Sequence, residues 1–122
     1  MKKLFISCPM KGFSEEDIRK NMNKMHKLAE IMFDQELEVI PTYIEHKLAE
    51  TTNDAILYLG ESIKKMAMAD YFIGIGFSSY FRGCSSEYSV ARNYDIPAYV
   101  VSVNDLIPNF NKDLLHLKEE EE

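Results

Sequence analysis

The chain has 122 residues, 46% of them hydrophobic and 28% charged, the profile of one ordinary globular domain with too little length for a second. Its net charge of −6 argues against a nucleic-acid polymer as partner, although much of the acidity sits late in the chain, at Asp105, Asp113 and residues 119–122. No apolar run approaches the ~20 residues of a membrane span, and Leu4-Phe5-Ile6 is too short an apolar stretch for a signal peptide. A cytoplasmic location with no membrane partner is therefore expected.

Residues 3–7 form a short apolar run closed by Cys8-Pro9, which predicts a buried first strand. Met10-Lys11-Gly12-Phe13 reads as a loop. Ser14 then opens a helix, with Asp17 as capping-box partner and Glu15 and Glu16 in the first turn. Ile18, Met22, Met25, Ala29 and Met32 recur at helical spacing and predict a buried stripe running to about Asp34. Residues 37–40 predict a second strand, stopped by Pro41. The polar stretch 42–53 is long for a connection, and long loops in compact domains are often functional. Asp54 starts a second helix, with Ile56, Leu59, Ile63 and Met66 as its expected inward face. Residues 71–75 are a third strand of central character, and 76–82 a loop. A third helix capped by Ser85 or Ser86 runs to about Tyr94, and residues 96–101 make a fourth strand. One short helix is expected around 111–117, and 119–122 read as an acidic, solvated tail beyond a single domain of residues 1–118.

The order βαβαβαβ with short joints predicts an α/β fold, a flavodoxin- or Rossmann-like three-layer sandwich with a mostly parallel sheet. Ligands of such sheets bind outside the C-terminal strand ends, where the strand order reverses. Two strand-to-helix joints should share that rim: Ser7-Cys8-Pro9-Met10-Lys11-Gly12 and Arg82-Gly83-Cys84-Ser85-Ser86-Glu87. Backbone N–H groups at a helix start suit an anion, and the Arg82 fork matches phosphate or carboxylate. Equally, Arg82 and Gly83 read as a surface arginine and a turn glycine.

Glu87 shares a helical face with Ala91 and Tyr94, a face that should look at the sheet. An inward carboxylate is costly unless paired or put to use. With the helix N-terminus helping to keep it ionised, it would serve as nucleophile or general base; otherwise it is a first-turn glutamate facing its own dipole. Asp70 is either a polar residue ending the second helix or a second carboxylate near the site. Tyr43, Glu45 and His46 lie in the long loop and are candidates to line a pocket. Ser62, off the Ile56 stripe, is a minor candidate, while His26 and His116 read as surface residues of helices. The two cysteines, Cys8 and Cys84, have neither a C-x-x-C nor a zinc spacing, so reduced thiols and no metal are expected.

The opening Leu4-Phe5-Ile6-Ser7-Cys8-Pro9-Met10-Lys11-Gly12, the stretches Tyr58-Leu59-Gly60-Glu61-Ser62 and Met66-Ala67-Met68-Ala69-Asp70, and Arg82-Gly83-Cys84-Ser85-Ser86-Glu87-Tyr88 together resemble the nucleoside 2-deoxyribosyltransferase-like superfamily, in a small bacterial and phage branch. The resemblance spans about residues 3–101. It implies that Glu87 attacks C1′ of the sugar and that Asp70 assists at sugar and base. It also implies that Cys8, Pro9, Met10, Lys11 and Gly12 shape the sugar and phosphate site; Ser7, at the start of that joint, and Tyr43, in the long loop, join the binding candidates by their positions. In the related deoxynucleotide N-hydrolases, that loop and the segment before the glutamate hold a 5′-phosphate, positions filled here by Arg82 and Gly83. The chain departs from the pattern at Tyr80-Phe81-Arg82, where small or acidic residues and glycines are usual, and at Phe5, which lacks the hydroxyl of the first-strand aromatic that orients the glutamate.

The function so implied is cleavage or transfer of an N-glycosidic bond in a nucleoside 5′-monophosphate or related nucleotide, with no metal or organic cofactor. The alternative is a non-catalytic nucleotide-binding module. A homo-oligomer is expected on two grounds: the resemblance, and the aromatics Phe77, Tyr80 and Phe81 beside the site.

Overall fold

A computed structural model describes residues 1–10, 12–42, 53–76 and 81–106. Four strands, β1 (Lys2–Ile6), β2 (Leu37–Val39), β3 (Tyr71–Ile75) and β4 (Ala98–Val101), alternate with α1 (Glu15–Met32), α2 (Asp54–Met66) and α3 (Arg82–Asn93), and a single turn, α4 (Val103–Leu106), follows. Every strand pairing is parallel and the order is β2-β1-β3-β4, so the chain reverses direction across the sheet between β1 and β3. The fold is an α/β sandwich of the flavodoxin- or Rossmann-like kind, and its switch point lies at the C-terminal ends of β1 and β3.

The two faces of β1 explain the layering. Leu4 and Ile6 join Ile18, Met25 and Ala29 of α1 in one apolar cluster. Phe5 points the other way and packs with Phe72, Met66 of α2 and Ala91 of α3. A strand buried on both faces reads as a continuous apolar run, which is why the period-two signal is absent from Leu4-Phe5-Ile6. Phe5 and Phe72 stack with centroids 5.8 Å apart and planes 8° from parallel. Gly74 follows on the same face. A Cβ there would sit 2.7 Å from the Phe72 ring and 3.4 Å from the Ser7 Cβ, so the strand has no room for a side chain beside Ser7.

Ser14 caps α1 as its sequence predicts, accepting a hydrogen bond from the Asp17 N–H. Asn53 does the same for α2 through the Ile56 N–H. Helix α3 differs from expectation. It begins at Arg82, three residues before the earlier of the two expected serine caps, and its N-cap residue Phe81 contributes no side-chain hydrogen bond. Phe81 is instead buried in the α1-side cluster, with its ring 6.2 Å from that of Phe13. Packing, not capping, sets this helix start.

Helix α2 also differs. Ile56 and Ile63 are exposed, at 64% and 37%, while Leu59 and Ser62 are half-buried and Met66 is buried. The inward face therefore runs Leu59, Ser62, Met66, one step around the helix from the expected stripe. Met32, expected in the α1 stripe, is half-exposed at 49%. His26 is not a plain surface residue: its ring Nε2 lies 2.9 Å from the Leu37 carbonyl oxygen. The turn α4 was not foreseen. The short helix expected around 111–117, the tail 119–122 and His116 lie outside the described residues.

Candidate active site at the β1–β3 switch point

Strand β1 ends at Ile6, and the Ser7 N–H continues the ladder by donating to the Ile73 carbonyl at 2.8 Å. Ser7 is thus fixed by backbone pairing, 2% exposed, and on the same face as Phe5. From α3, Glu87 reaches the same point and is 8% exposed. The Ser7 hydroxyl donates to Glu87 Oε1 at 2.6 Å, the length of a charge-assisted hydrogen bond. The Ser62 hydroxyl of α2 lies near the carboxylate and acts to lower its pKa. One strand and two helices therefore converge on a single buried acid.

The electrostatics follow from burial. Removal from water raises the Glu87 pKa, and the hydrogen bond from Ser7 and the nearby Ser62 hydroxyl pull against that rise without cancelling it. Helix-end stabilisation, expected from the sequence, has little reach here. Because α3 begins at Arg82, Glu87 lies in the second turn, beyond the first-turn range of the dipole. Cys8 and Cys84 are both buried free thiols, each pushed up to about 12, first by burial; the nearby Cys84 adds to the rise for Cys8, and Glu87 adds to it for Cys84. The nearby Ser7 hydroxyl acts in the opposite sense on Cys84, without cancelling the rise. Thiols held this far from ionisation pack as small apolar groups and make poor nucleophiles.

The remaining sequence-predicted residues divide. Cys8 and Pro9 are buried beside Ser7, Met10 is partly buried, and Gly12 is exposed with a positive φ of 85°, a conformation that suits glycine. The Phe13 N–H closes a turn onto the Met10 carbonyl. Arg82 and Gly83 are exposed at the start of α3, and open space surrounds the Gly83 Cα. Lys11 and Tyr43 lie outside the described residues, as do Glu45, His46, Phe77 and Tyr80.

Asp70 is not brought to the site. It directly precedes Tyr71, the first residue of β3, and its carboxylate accepts the Lys3 N–H at 2.8 Å, at the N-terminal end of the sheet. Glu87 stands at the C-terminal end. Five strand residues at ~3.3 Å each separate the two ends. The expected role of Asp70 beside Glu87 is corrected accordingly: it ties the start of β3 to the start of β1. Asp70→Ala is expected to change turnover or ligand affinity less than about twofold and to cost about 0.5–1.5 kcal/mol in stability. Steady-state kinetics together with thermal denaturation check this; a hundredfold loss of activity would return Asp70 to the site.

Ser62 is the residue that sequence reasoning undervalued. Its signal was present: it sits midway between Leu59 and Met66 on one helical face. Phe5, the candidate stand-in for an orienting aromatic, has no hydrogen bond to give; Ser7 holds Glu87 instead, with the Ser62 hydroxyl nearby. Two surface grooves of about 260 and 280 Å³ flank α1, and neither includes Glu87. In the groove that includes His26, that ring is already engaged by the Leu37 carbonyl and Glu30, so chemistry favours the switch point over either groove. Among the described residues, no helix is long and apolar enough to cross a membrane. Comparison of the chain with family models, curated proteins and solved structures gives no match.

Proposed function

We propose that the protein cleaves or transfers the N-glycosidic bond of a nucleoside 5′-monophosphate or related nucleotide, with Glu87 as the nucleophile. The observation that carries this reading is the buried Glu87 carboxylate, fixed by the 2.6 Å bond from Ser7 at the switch point of a parallel sheet. The nucleoside 2-deoxyribosyltransferase-like resemblance of the sequence supports it. In the first step a Glu87 oxygen bonds to C1′ as the C1′–N bond breaks, and the base departs with the electron pair and takes up a proton. Water then attacks C1′ and releases the carboxylate and a sugar phosphate; a second base in place of water gives transfer. This is the double-displacement logic of retaining glycosidases. A carboxylate with few water contacts needs little desolvation before it attacks, and the Ser7 donor, aided by the nearby Ser62 hydroxyl, keeps its ionised form accessible. Arg82, at the start of α3, is the proposed partner of the 5′-phosphate.

One observation favours the second reading, a nucleotide-binding module without turnover. Asp70, the expected assistant, stands at the other end of the sheet. Mass spectrometry of 2′-deoxynucleoside and ribonucleoside 5′-monophosphates after incubation with the protein separates the readings. Free base is the expected product. Intact nucleotide held at one per chain supports the binding module, and neither outcome at millimolar nucleotide removes both. Thermal shifts with plain nucleosides equal to those with monophosphates would remove the role of Arg82.

A cytoplasmic location and a homo-oligomer belong to the same proposal. Phe81, part of the aromatic cluster invoked for assembly, is spent on the domain's own core, so the resemblance carries most of the oligomer expectation. Light scattering tests it: a ligand-competent particle of one chain's 14.1 kDa removes it.

A further inference from the structure

Thr42 is 7% exposed, and its Oγ1 is a fully enclosed atom with no hydrogen-bond partner among the described residues. Buried hydroxyls are normally satisfied, and one that is not calls for an explanation. Valine has nearly the same shape and would fill the position without a polar atom to desolvate. The threonine therefore has a use that its packing does not supply.

Its place in the sheet indicates that use. Strand β2 pairs with β1 in the register Leu4↔Val39, and the Ile40 N–H extends the ladder to the Leu4 carbonyl at 2.9 Å. Ile40 packs with Phe5 and Phe72 on the α2–α3 side of the sheet. Pro41 is exposed and Thr42 is buried again, the period-two alternation that returns Thr42 to the side of Ile40. The pairing ends at Ile40, and Thr42 follows two residues on, past the C-terminal end of β2 and beside the strand that carries Ser7. Ser7 gives its hydroxyl to Glu87, whereas the Thr42 hydroxyl is left without a partner among the described residues. A neighbouring carboxylate disfavours a second anion there, so a phosphate is a poor occupant. A neutral ring hydroxyl, able to donate and to accept, is a good one.

We infer that the Thr42 hydroxyl is a ligand-binding group that hydrogen-bonds a ring hydroxyl of the pentose whose C1′ faces Glu87. The inference rests on the nucleotide reading above and adds the residue that reads the sugar. The test pairs two protein variants with three forms of the ligand. Wild type, Thr42→Val and Thr42→Ser are titrated with 2′-deoxynucleoside 5′-monophosphates and with the matching 2′,3′-dideoxy and ribo forms. The wild type is expected to lose about tenfold in affinity when the ligand lacks the read hydroxyl. Thr42→Val is expected to bind about tenfold more weakly and to be indifferent to that hydroxyl, while Thr42→Ser keeps the discrimination. That coupling is absent if Thr42 merely packs. Without ligand, Thr42→Val is expected to melt at or above the wild-type temperature; a clear drop would reveal a structural partner for the hydroxyl and overturn the inference. Unchanged discrimination in Thr42→Val overturns it while leaving the proposed function standing. Failure of the wild type to bind any of these nucleotides overturns both.

Discussion

Glu87→Gln is expected to abolish turnover and, at the same time, to make the protein more stable at neutral pH. The nucleophile is lost, so the rate should fall by about 10³-fold or more. The stability gain follows from linkage. Burial raises the folded-state pKa of Glu87 above its ordinary 4.5. The folded protein therefore favours the protonated acid, and that contribution is complete below the unfolded pKa. It is lost as the pH rises through the folded pKa, because the ionised carboxylate is then held in a place it tolerates poorly. Glutamine does not titrate. The melting-temperature difference between variant and wild type should accordingly be small near pH 4, grow through the window above 4.5, and level off once the wild-type acid is ionised in both states. Each tenfold change in acidity is worth about 1.4 kcal/mol, or roughly 5 °C for a domain of this size. Thermal denaturation across pH, alongside base release, reads both effects. A variant less stable than wild type at every pH would mean that the carboxylate is a structural anchor, and retained base release would end its assignment as nucleophile.

Ser7→Ala is the second large expected effect, and its signature is a displaced pH profile. The substitution keeps the Cβ that lies against Gly74 and removes only the hydroxyl oxygen. Glu87 then loses the 2.6 Å donor that favours its ionised form, so its pKa climbs further. Because attack requires the carboxylate, the acid limb of the rate profile should move to higher pH. A hydrogen bond to a charged group contributes about 1.5–3 kcal/mol, which corresponds to about one to two pH units. The loss in rate should be larger on the acid limb than on the plateau at higher pH. A purely structural Ser7 would lower the melting temperature yet leave the limb in place, and that result would count against the Ser7–Glu87 pair as a working unit.

The sequence made some of this legible and concealed the rest for physical reasons. Strand β3 matches its expected bounds at Tyr71–Ile75, since a β-branched and aromatic run flanked by Asp70 and Gly76 admits few alternatives. Helix α1 declared itself through the Ser14 cap and a stripe in which Ile18, Met25 and Ala29 are buried. Glu87 was readable as an inward residue because Ala91, on the same face, is small and fully buried; Tyr94, added to that face by spacing, is 78% exposed. Helix α3 hid its start because Phe81 enters the core where a capping side chain was sought. Ser62 was hidden by its neighbours. Two large aliphatics, Ile56 and Ile63, outweigh a serine in any apolar count, yet they are the residues left in solvent. Polar groups that turn inward to serve a site run against the periodicity used to find the core, so pattern reading misplaces them. Asp70 fails differently: its position along the chain is near β3, but a parallel strand carries its two ends to opposite sides of the sheet.

The hydrogen bond between Ser7 and Glu87 spans 80 positions of the chain. Its two partners meet only after β1 has paired with β3 and α3 has docked, so no early fragment of a folding chain can hold the site. Contacts closed across so long a loop pay their entropy before they return any stability, and form late. A molecule that binds at Glu87 thus recognises the finished protein alone. It should leave the speed of folding nearly untouched while slowing the reverse reaction, since most of its contacts arise after the barrier. In a cell, a chain with its ligand in place would persist longer than an empty one, and the supply of that small molecule would help set how much of the protein survives.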